Sequence, residues 1–243
     1  MYIGVKELIG HYKKPFDRIG IATKEAKASL RDKGDKQTKE LLQEEINLVI
    51  AKWDEKTNNG SLAHTKIHNR EIEKNPNCTI LGKYKKYNSE ETPELDAENI
   101  NKLNTCTTYL EKQIVSNHHN IIGYIDKVEV TKQGVINIED YKTWDKVYRT
   151  SSFIKENGFK VLPRFFFSPI DNLQDTNYWE ATLQLSIYMY ILWTYNKKLK
   201  PGKLYIRHIP LNERGLIINE KLIEVPYLRK EVKLIFKNMK LNG

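Results

Sequence analysis

The sequence predicts an α/β domain built on a central mixed β-sheet flanked by helices, and three stretches carry that expectation. Residues 121–143, IIGYIDKVEVTKQGVINIEDYKT, alternate apolar and polar side chains on either side of Lys132-Gln133-Gly134, as two strands joined by a tight turn do. Upstream, Leu42, Ile46, Val49, Ile50 and Trp53 recur at helical spacing. Downstream, Tyr178 to Tyr195 reads as a second long helix, with Leu185, Tyr188, Met189 and Leu192 as its core stripe. A chain of 243 residues suits one well-cored domain, and no internal repeat, low-complexity tract or sharp linker divides it, so residues 1–243 are expected to form a single unit.

The elements follow in order. Val5, Leu8 and Ile9 make a short packing segment before a turn at Lys13-Lys14-Pro15-Phe16, and Lys33-Gly34-Asp35-Lys36 breaks the chain. The helix through Trp53 is expected to stop at Asn58-Asn59-Gly60, where the left-handed conformation comes easily, leaving Ser61 to cap the next helix. On that helix His64, His68 and Glu71 stand at i, i+4 and i+7 and share a face; the two histidines fit a zinc half-site or two solvated side chains. Pro76 and Asn77 lead into the run Lys83-Tyr84-Lys85-Lys86-Tyr87, followed by the acidic segment Glu90 to Glu94. Those tyrosines and lysines could stack bases and meet phosphates, and a solvated surface loop is the plainer reading. Leu95 to Leu103 reads as a short helix, and Thr107 to Val115 as a strand carrying Glu111.

Beyond the hairpin, Thr143 to Arg149 is basic and aromatic, and Lys146, Tyr148 and Arg149 are candidate phosphate contacts. Phe165 to Phe167, between Pro163 and Pro169, is expected to be a buried strand or turn. After the break at Pro201-Gly202, Leu204, Ile206 and the segment Leu216 to Ile218 read as strands, and Tyr227 to Met239 as an amphipathic helix.

Lys and Arg number 40 against 31 Asp and Glu, a formal net charge of +9, which suits a polyanionic partner but also basic proteins of other kinds. Cys78 and Cys106 are too few for a disulfide framework or a four-thiolate iron–sulfur cluster and are expected to be reduced thiols. Neither a signal peptide nor an apolar run of roughly 18 residues is present, so the sequence predicts a cytoplasmic protein with no membrane partner. The G-x-x-x-x-G-K-[ST] loop is also missing, which assigns any energy-driven unwinding to another protein.

The chemistry concentrates in the hairpin. Asp126 lies on its first strand, and Asp140 and Lys142 extend the row of Ile136 and Ile138 on the second. A carboxylate and an ammonium emerging from a core-facing row are costly to desolvate without a partner. A divalent cation held by both acids would be one, with Lys142 beside the ion.

Gly123-Tyr124-Ile125-Asp126 and Asp140-Tyr141-Lys142-Thr143 resemble the core of the PD-(D/E)XK nuclease superfamily, most of all the RecB-type nucleases with G-x-x-D followed by D-Y-K-T. Gly60 to His64 is similar to the family's G-x-x-x-H segment, Gln184 to Tyr188 matches its Q-x-x-x-Y helix, and Glu111 stands where the family often has a glutamate. The family commonly places a glutamate four residues after the metal histidine; here that position is His68.

The resemblance covers roughly residues 60–195 and implies a restriction-endonuclease-like core. It implies one or two Mg2+ or Mn2+ ions held by His64, Asp126, Asp140 and the Tyr141 carbonyl, and no iron–sulfur cluster. Lys142, Gln184 and Tyr188 would complete the catalytic set. It further implies phosphodiester hydrolysis on DNA, with RNA left open, as an exonuclease of recombination or repair in a bacterium or phage. A recombinase, single-strand-binding protein or helicase would be its companion. Two other readings stand beside it: a non-cleaving nucleic-acid-binding or assembly protein on the same fold, and a sequence-specific restriction-type endonuclease.

Overall fold

The computed structural model describes residues 2–34, 38–74, 79–80, 95–151, 153–154 and 160–242. In chain order the elements are β1 (Ile3–Gly4), α1 (Val5–Gly10), α2 (Arg18–Asp32), α3 (Lys39–Lys74), β2 (Thr79–Ile80), α4 (Ala97–Asn101), β3 (Thr107–Ser116), β4 (Ile121–Val130), β5 (Val135–Lys142), β6 (Phe153–Ile154), β7 (Lys160–Val161), α5 (Asn177–Tyr195), β8 (Lys200–His208), β9 (Lys221–Val225) and α6 (Arg229–Asn242). The main sheet runs β2-β3-β4-β5-β8-β9, with β1 also paired to β4. β3, β4 and β5 form an antiparallel meander, β8 joins β5 in parallel, and β9 closes the far edge antiparallel to β8. The chain is therefore an α/β protein with a mixed, open sheet flanked by helices.

A parallel neighbour requires a crossover, and here the crossover from β5 to β8 carries α5. α5 is buried almost all round, from Ala181 to Met189 and again at Ile191 and Leu192, rather than along the expected stripe. The sheet covers one side of it while α1, α4 and α6 pack on others. Its apolar residues join Ile125, Val128, Ile136, Ile138 and Ile206 in one core.

The strands of the hairpin part company before the hairpin ends. Lys127 to Val130 pair with Glu139 to Ile136, but on the same edge of β4 Ile121 and Ile122 pair instead with Ile3 and Gly4 of β1. Residues 123–126 lie between these two partners, at the crotch of a fork. Burial along β4 inverts there as well: Ile121, Gly123 and Ile125 are buried, then Val128 and Val130. Opposite Asp126 in the β3 register stands Glu111, which has a left-handed φ of 51° and makes no ladder pair with it. Such a conformation costs a non-glycine residue of order 1–3 kcal/mol and persists only where the surroundings enforce it.

Four expectations need correction. α3 runs unbroken through Asn58-Asn59-Gly60; Gly60 is there because a Cβ would stand 2.8 Å from Thr143 Oγ1, and Ser61 donates back to the Thr57 carbonyl at 3.2 Å instead of capping a new helix. α2 was not foreseen, although Asp17 caps it and Ala22, Ala26 and Leu30 bury its inner face. The segment Leu216 to Ile218 forms only the single bridge Leu211 to Ile217, and the edge strand is β9. Phe166 is buried, but Phe165 and Phe167 are exposed on either side of it. Pro76, Cys78 and the run from Lys83 to Glu94, which includes Lys85 and Lys86, lie outside the described residues.

Gly123 marks the tightest approach in the fork, since a Cβ there would fall 2.7 Å from Tyr188 Cε1 and 3.2 Å from Val5 Cγ2. Gly123→Ala should therefore destabilise the protein by about 1–3 kcal/mol, the usual penalty of overpacking, as measured by urea unfolding. An unchanged midpoint would show that the ring is free to move aside.

Candidate active site

The β4–β5 ladder ends at Lys127–Glu139, so Asp126 and Asp140 are the first residues past it on either strand, at the mouth of the fork. Because the strands have begun to separate, the Tyr141 N–H has no strand carbonyl to meet. It donates instead to Asp126 Oδ2 at 2.5 Å. The first acid is thereby fixed by the backbone of the strand that carries the second.

Asp140 is almost wholly buried, and its Oδ2 lies 2.6 Å from the Lys142 ammonium. Gln184 of α5 joins the pair: its amide oxygen accepts from Lys142 Nζ at 3.2 Å, and its amide nitrogen donates to Asp140 Oδ1 at 3.3 Å and to the Tyr188 hydroxyl at 2.8 Å. Gln184 and Tyr188, one helical turn apart, thus act as one polar clamp beneath the strand ends. The Trp144 ring lies 5.7 Å from Lys142 Nζ on another side.

α3 brings the histidines. His64 is half-buried, with Nε2 3.0 Å from the Tyr141 carbonyl and Nδ1 3.8 Å from Asp126 Oδ1. The helix is held in place by Ile67 against Tyr141 and Ile209, and by ions on the side of the sheet that faces it. Lys127 meets Glu71 at 2.8 Å, Arg207 meets Glu139 at 2.5 Å and also Glu220, and Arg70 meets Glu220 at 2.7 Å. Glu71, on the same helix face as the histidines, therefore belongs to this clamp. His68 Nε2 is buried and has no hydrogen-bond partner among the described residues. The field of His68 reaches Glu111, as does that of Asp140.

The electrostatics follow from burial. Burial, then the charge of Asp140, hold the Asp126 carboxyl well above the ordinary carboxylate range, against the pull of the Tyr141 N–H and Lys142. Burial likewise raises Glu111. For Lys142 burial acts downward, but the adjacent Asp140 charge and hydrogen bond prevail and the ammonium is held above its ordinary value. Burial lowers His64 despite its contact with the Tyr141 carbonyl, which favours neutral imidazole.

Among the described residues no three His, Cys, Asp or Glu side chains are gathered as a closed metal site. The donor set around the fork is two carboxylates, one imidazole and one backbone carbonyl, oxygen and nitrogen donors of the kind that Mg2+ and Mn2+ take. A raised Asp126 carboxyl is also a group that a cation would ionise. The residues fit a divalent ion.

No family model, curated protein or solved structure matches this chain. The geometry alone speaks for the site. It brings together His64, Asp126, Asp140, Tyr141, Lys142, Gln184 and Tyr188, with Glu111 and His68 at the border. Lys146, Tyr148 and Arg149 lie on an exposed strap after β5 that Asn177 pins to the start of α5, and the Arg149 guanidinium sits 4.9 Å from the Tyr178 ring centroid. Cys106 is exposed and unpaired. No helix among the described residues is long and apolar enough to cross a membrane. Sequence reasoning missed Lys6, which α1 carries to the rim of the same site; no periodicity or motif singles it out, because its place depends on the pairing of β1 with β4, whose partners Ile3 and Ile121 are 118 residues apart in sequence.

Two outcomes follow from this arrangement. Gln184→Ala should cost about 1–3 kcal/mol in equilibrium unfolding, because it strips buried partners from Asp140, Lys142 and Tyr188 together. A carboxyl raised in the folded state contributes stability that is present below its unfolded value of 3.8 and is lost as pH rises through the folded value. In chelator, Asp126→Asn should therefore melt above the parent at neutral pH, with the gap closing toward about pH 4; for a chain of this size ~1 kcal/mol corresponds to roughly 2–4 °C. A variant that melts below the parent at neutral pH would contradict the assignment.

Proposed function

We propose that this protein is a metal-dependent nuclease with a restriction-endonuclease-like core of the RecB type, hydrolysing phosphodiester bonds of DNA. The observation that carries the reading is the shared pocket at the fork: Asp126 bound to the Tyr141 N–H, and Asp140 bound to Lys142 and Gln184. Acid, acid and lysine from a G-x-x-D and D-Y-K-T hairpin, together with the Q-x-x-x-Y helix and a histidine from the G-x-x-x-H segment, is the constellation that the sequence resemblance implies. The net charge of +9 suits a polyanionic substrate.

Asp126, Asp140, the Tyr141 carbonyl and His64 would hold Mg2+ or Mn2+, and neutral imidazole in the set favours the transition metal. Such an ion supplies a polarised phosphoryl oxygen and a more acidic bound water. Ligation through His64 Nε2 requires the proton on Nδ1, the nitrogen that faces Asp126. Lys142, held as an ammonium, counters the negative charge that grows on the phosphate rather than taking a proton from water. Gln184 keeps that ammonium aimed, since its single amide touches Lys142, Asp140 and Tyr188 at once. An exonuclease of recombination or repair is the role that free-standing nucleases of this type commonly have.

The second reading, a protein that binds nucleic acid on this fold without cutting, is favoured by His68 standing where the resemblance places a glutamate. One experiment separates the two. End-labelled linear DNA and closed circular DNA are incubated with the protein in Mg2+, Mn2+ or EDTA, alongside Asp140→Asn. Cleavage should require the ion and should fall at least about a thousandfold in Asp140→Asn, with most DNA affinity retained because binding rests on many Lys and Arg contacts. Cutting in EDTA would overturn the metal role, and binding without cutting in any metal would establish the second reading.

A further inference from the structure

The rim of the fork carries a cation that has no partner of its own. β1 lies along the stretch of β4 edge that β5 leaves free, and α1 begins at the next residue, so the first turn of α1 opens beside residues 123–126. Val5 is buried there, against the position where Gly123 lacks a side chain. Lys6 follows it and is exposed. Among the described residues it makes neither a hydrogen bond nor an ion pair.

The charges that Lys6 faces are already engaged. Lys142 acts on it most strongly and burial next, and both lower it; Asp140, Asp126 and Glu180 act in the opposite sense. Asp140 is held by Lys142 at 2.6 Å, Asp126 by the Tyr141 N–H, and Glu180 by Lys13 at 2.6 Å. Lys6 thus stands on the rim of the pocket that holds Lys142, and of the two only Lys142 has a carboxylate at hydrogen-bond distance. An exposed, long, flexible ammonium beside such a pair lacks an anion, and a phosphate oxygen suits it as a point-charge partner.

We propose that Lys6 binds a phosphate of the nucleic-acid strand held in the fork, next to the phosphate presented to Asp140 and Lys142. The assignment rests on the nucleic-acid reading of the site. It makes α1 part of the substrate groove and gives the short β1 pairing a purpose, which is to deliver one cation to the strand end of the sheet.

The test is binding of a short fluorescent single-stranded oligonucleotide, followed by anisotropy in EDTA so that no cutting intervenes, at several salt concentrations. Lys6→Ala should bind roughly three- to tenfold more weakly and reduce the slope of log affinity against log salt by about 0.7, the value for one lost contact on a single strand. Lys6→Arg should restore both. Replacing single phosphates by neutral methylphosphonates should reveal one position that weakens the parent but leaves Lys6→Ala unaffected. The melting temperature of Lys6→Ala should equal or exceed that of the parent, because a repulsion has been removed. If the parent binds and Lys6→Ala binds equally with the same slope, the role of Lys6 is overturned while the nuclease reading stands. If the parent binds no oligonucleotide, the Lys6 assignment fails, and metal-dependent cleavage by the parent then decides the nuclease reading separately.

Discussion

A backbone N–H left without a strand partner in the middle of a buried sheet is the constraint from which the site follows. β4 and β5 stop pairing after Lys127–Glu139 while β5 stays paired to β8 on its other edge, and at that point the Tyr141 amide would be orphaned, at a typical penalty of about 1–3 kcal/mol. The Asp126 carboxylate removes that penalty by accepting the bond. In doing so it is drawn into a buried place where its own charge is unwelcome, next to a second acid. The site is therefore not added to the fold; it is what the fold does with an amide that a parting strand leaves behind.

The two surfaces of the sheet at this level handle charge differently. Toward α3, Glu71, Lys127, Glu139, Arg207, Glu220 and Arg70 are joined by complementary ion pairs, so that every buried member meets an opposite charge. Removing one member of such a network leaves an uncompensated charge, which makes it a rigid mount even where its net stabilisation is small. On the other side the balance is incomplete: Asp126 and Asp140 share a single inner lysine, and burial, then the charge of Asp140, raises the Asp126 carboxyl. A cation-deficient pocket thus lies beside a charge-balanced mount, and perturbed carboxyls of this kind gather where groups are buried without full compensation.

Much of this was legible in the chain. Ile136, Ile138, Asp140 and Lys142 stand two apart, and the second strand keeps that alternation to its end, so the placement of Asp140 and Lys142 could be read directly. The same rule fails in β4, where burial changes phase between Ile125 and Val128, beside the left-handed Glu111 on the neighbouring strand, a tertiary feature that period-two patterning does not contain. Asn58-Asn59-Gly60 has the composition of a helix stop, yet the glycine serves closeness to Thr143 and the helix continues. Gln184 was found through a motif, but its extent of burial was not, because α5 is enclosed on several sides by elements far away in sequence.

That uninterrupted helix gives the molecule an unusual mechanical property. At 1.5 Å per residue, the 36 residues of α3 make a rod about 54 Å long, with His64 toward one end and the Ala22, Ala26 and Ile46 contact with α2 toward the other. A break at Gly60 would have uncoupled the two ends. Without it, one continuous rod that passes Thr143 closely at Gly60 joins the α2–α3 hairpin to the imidazole one turn beyond.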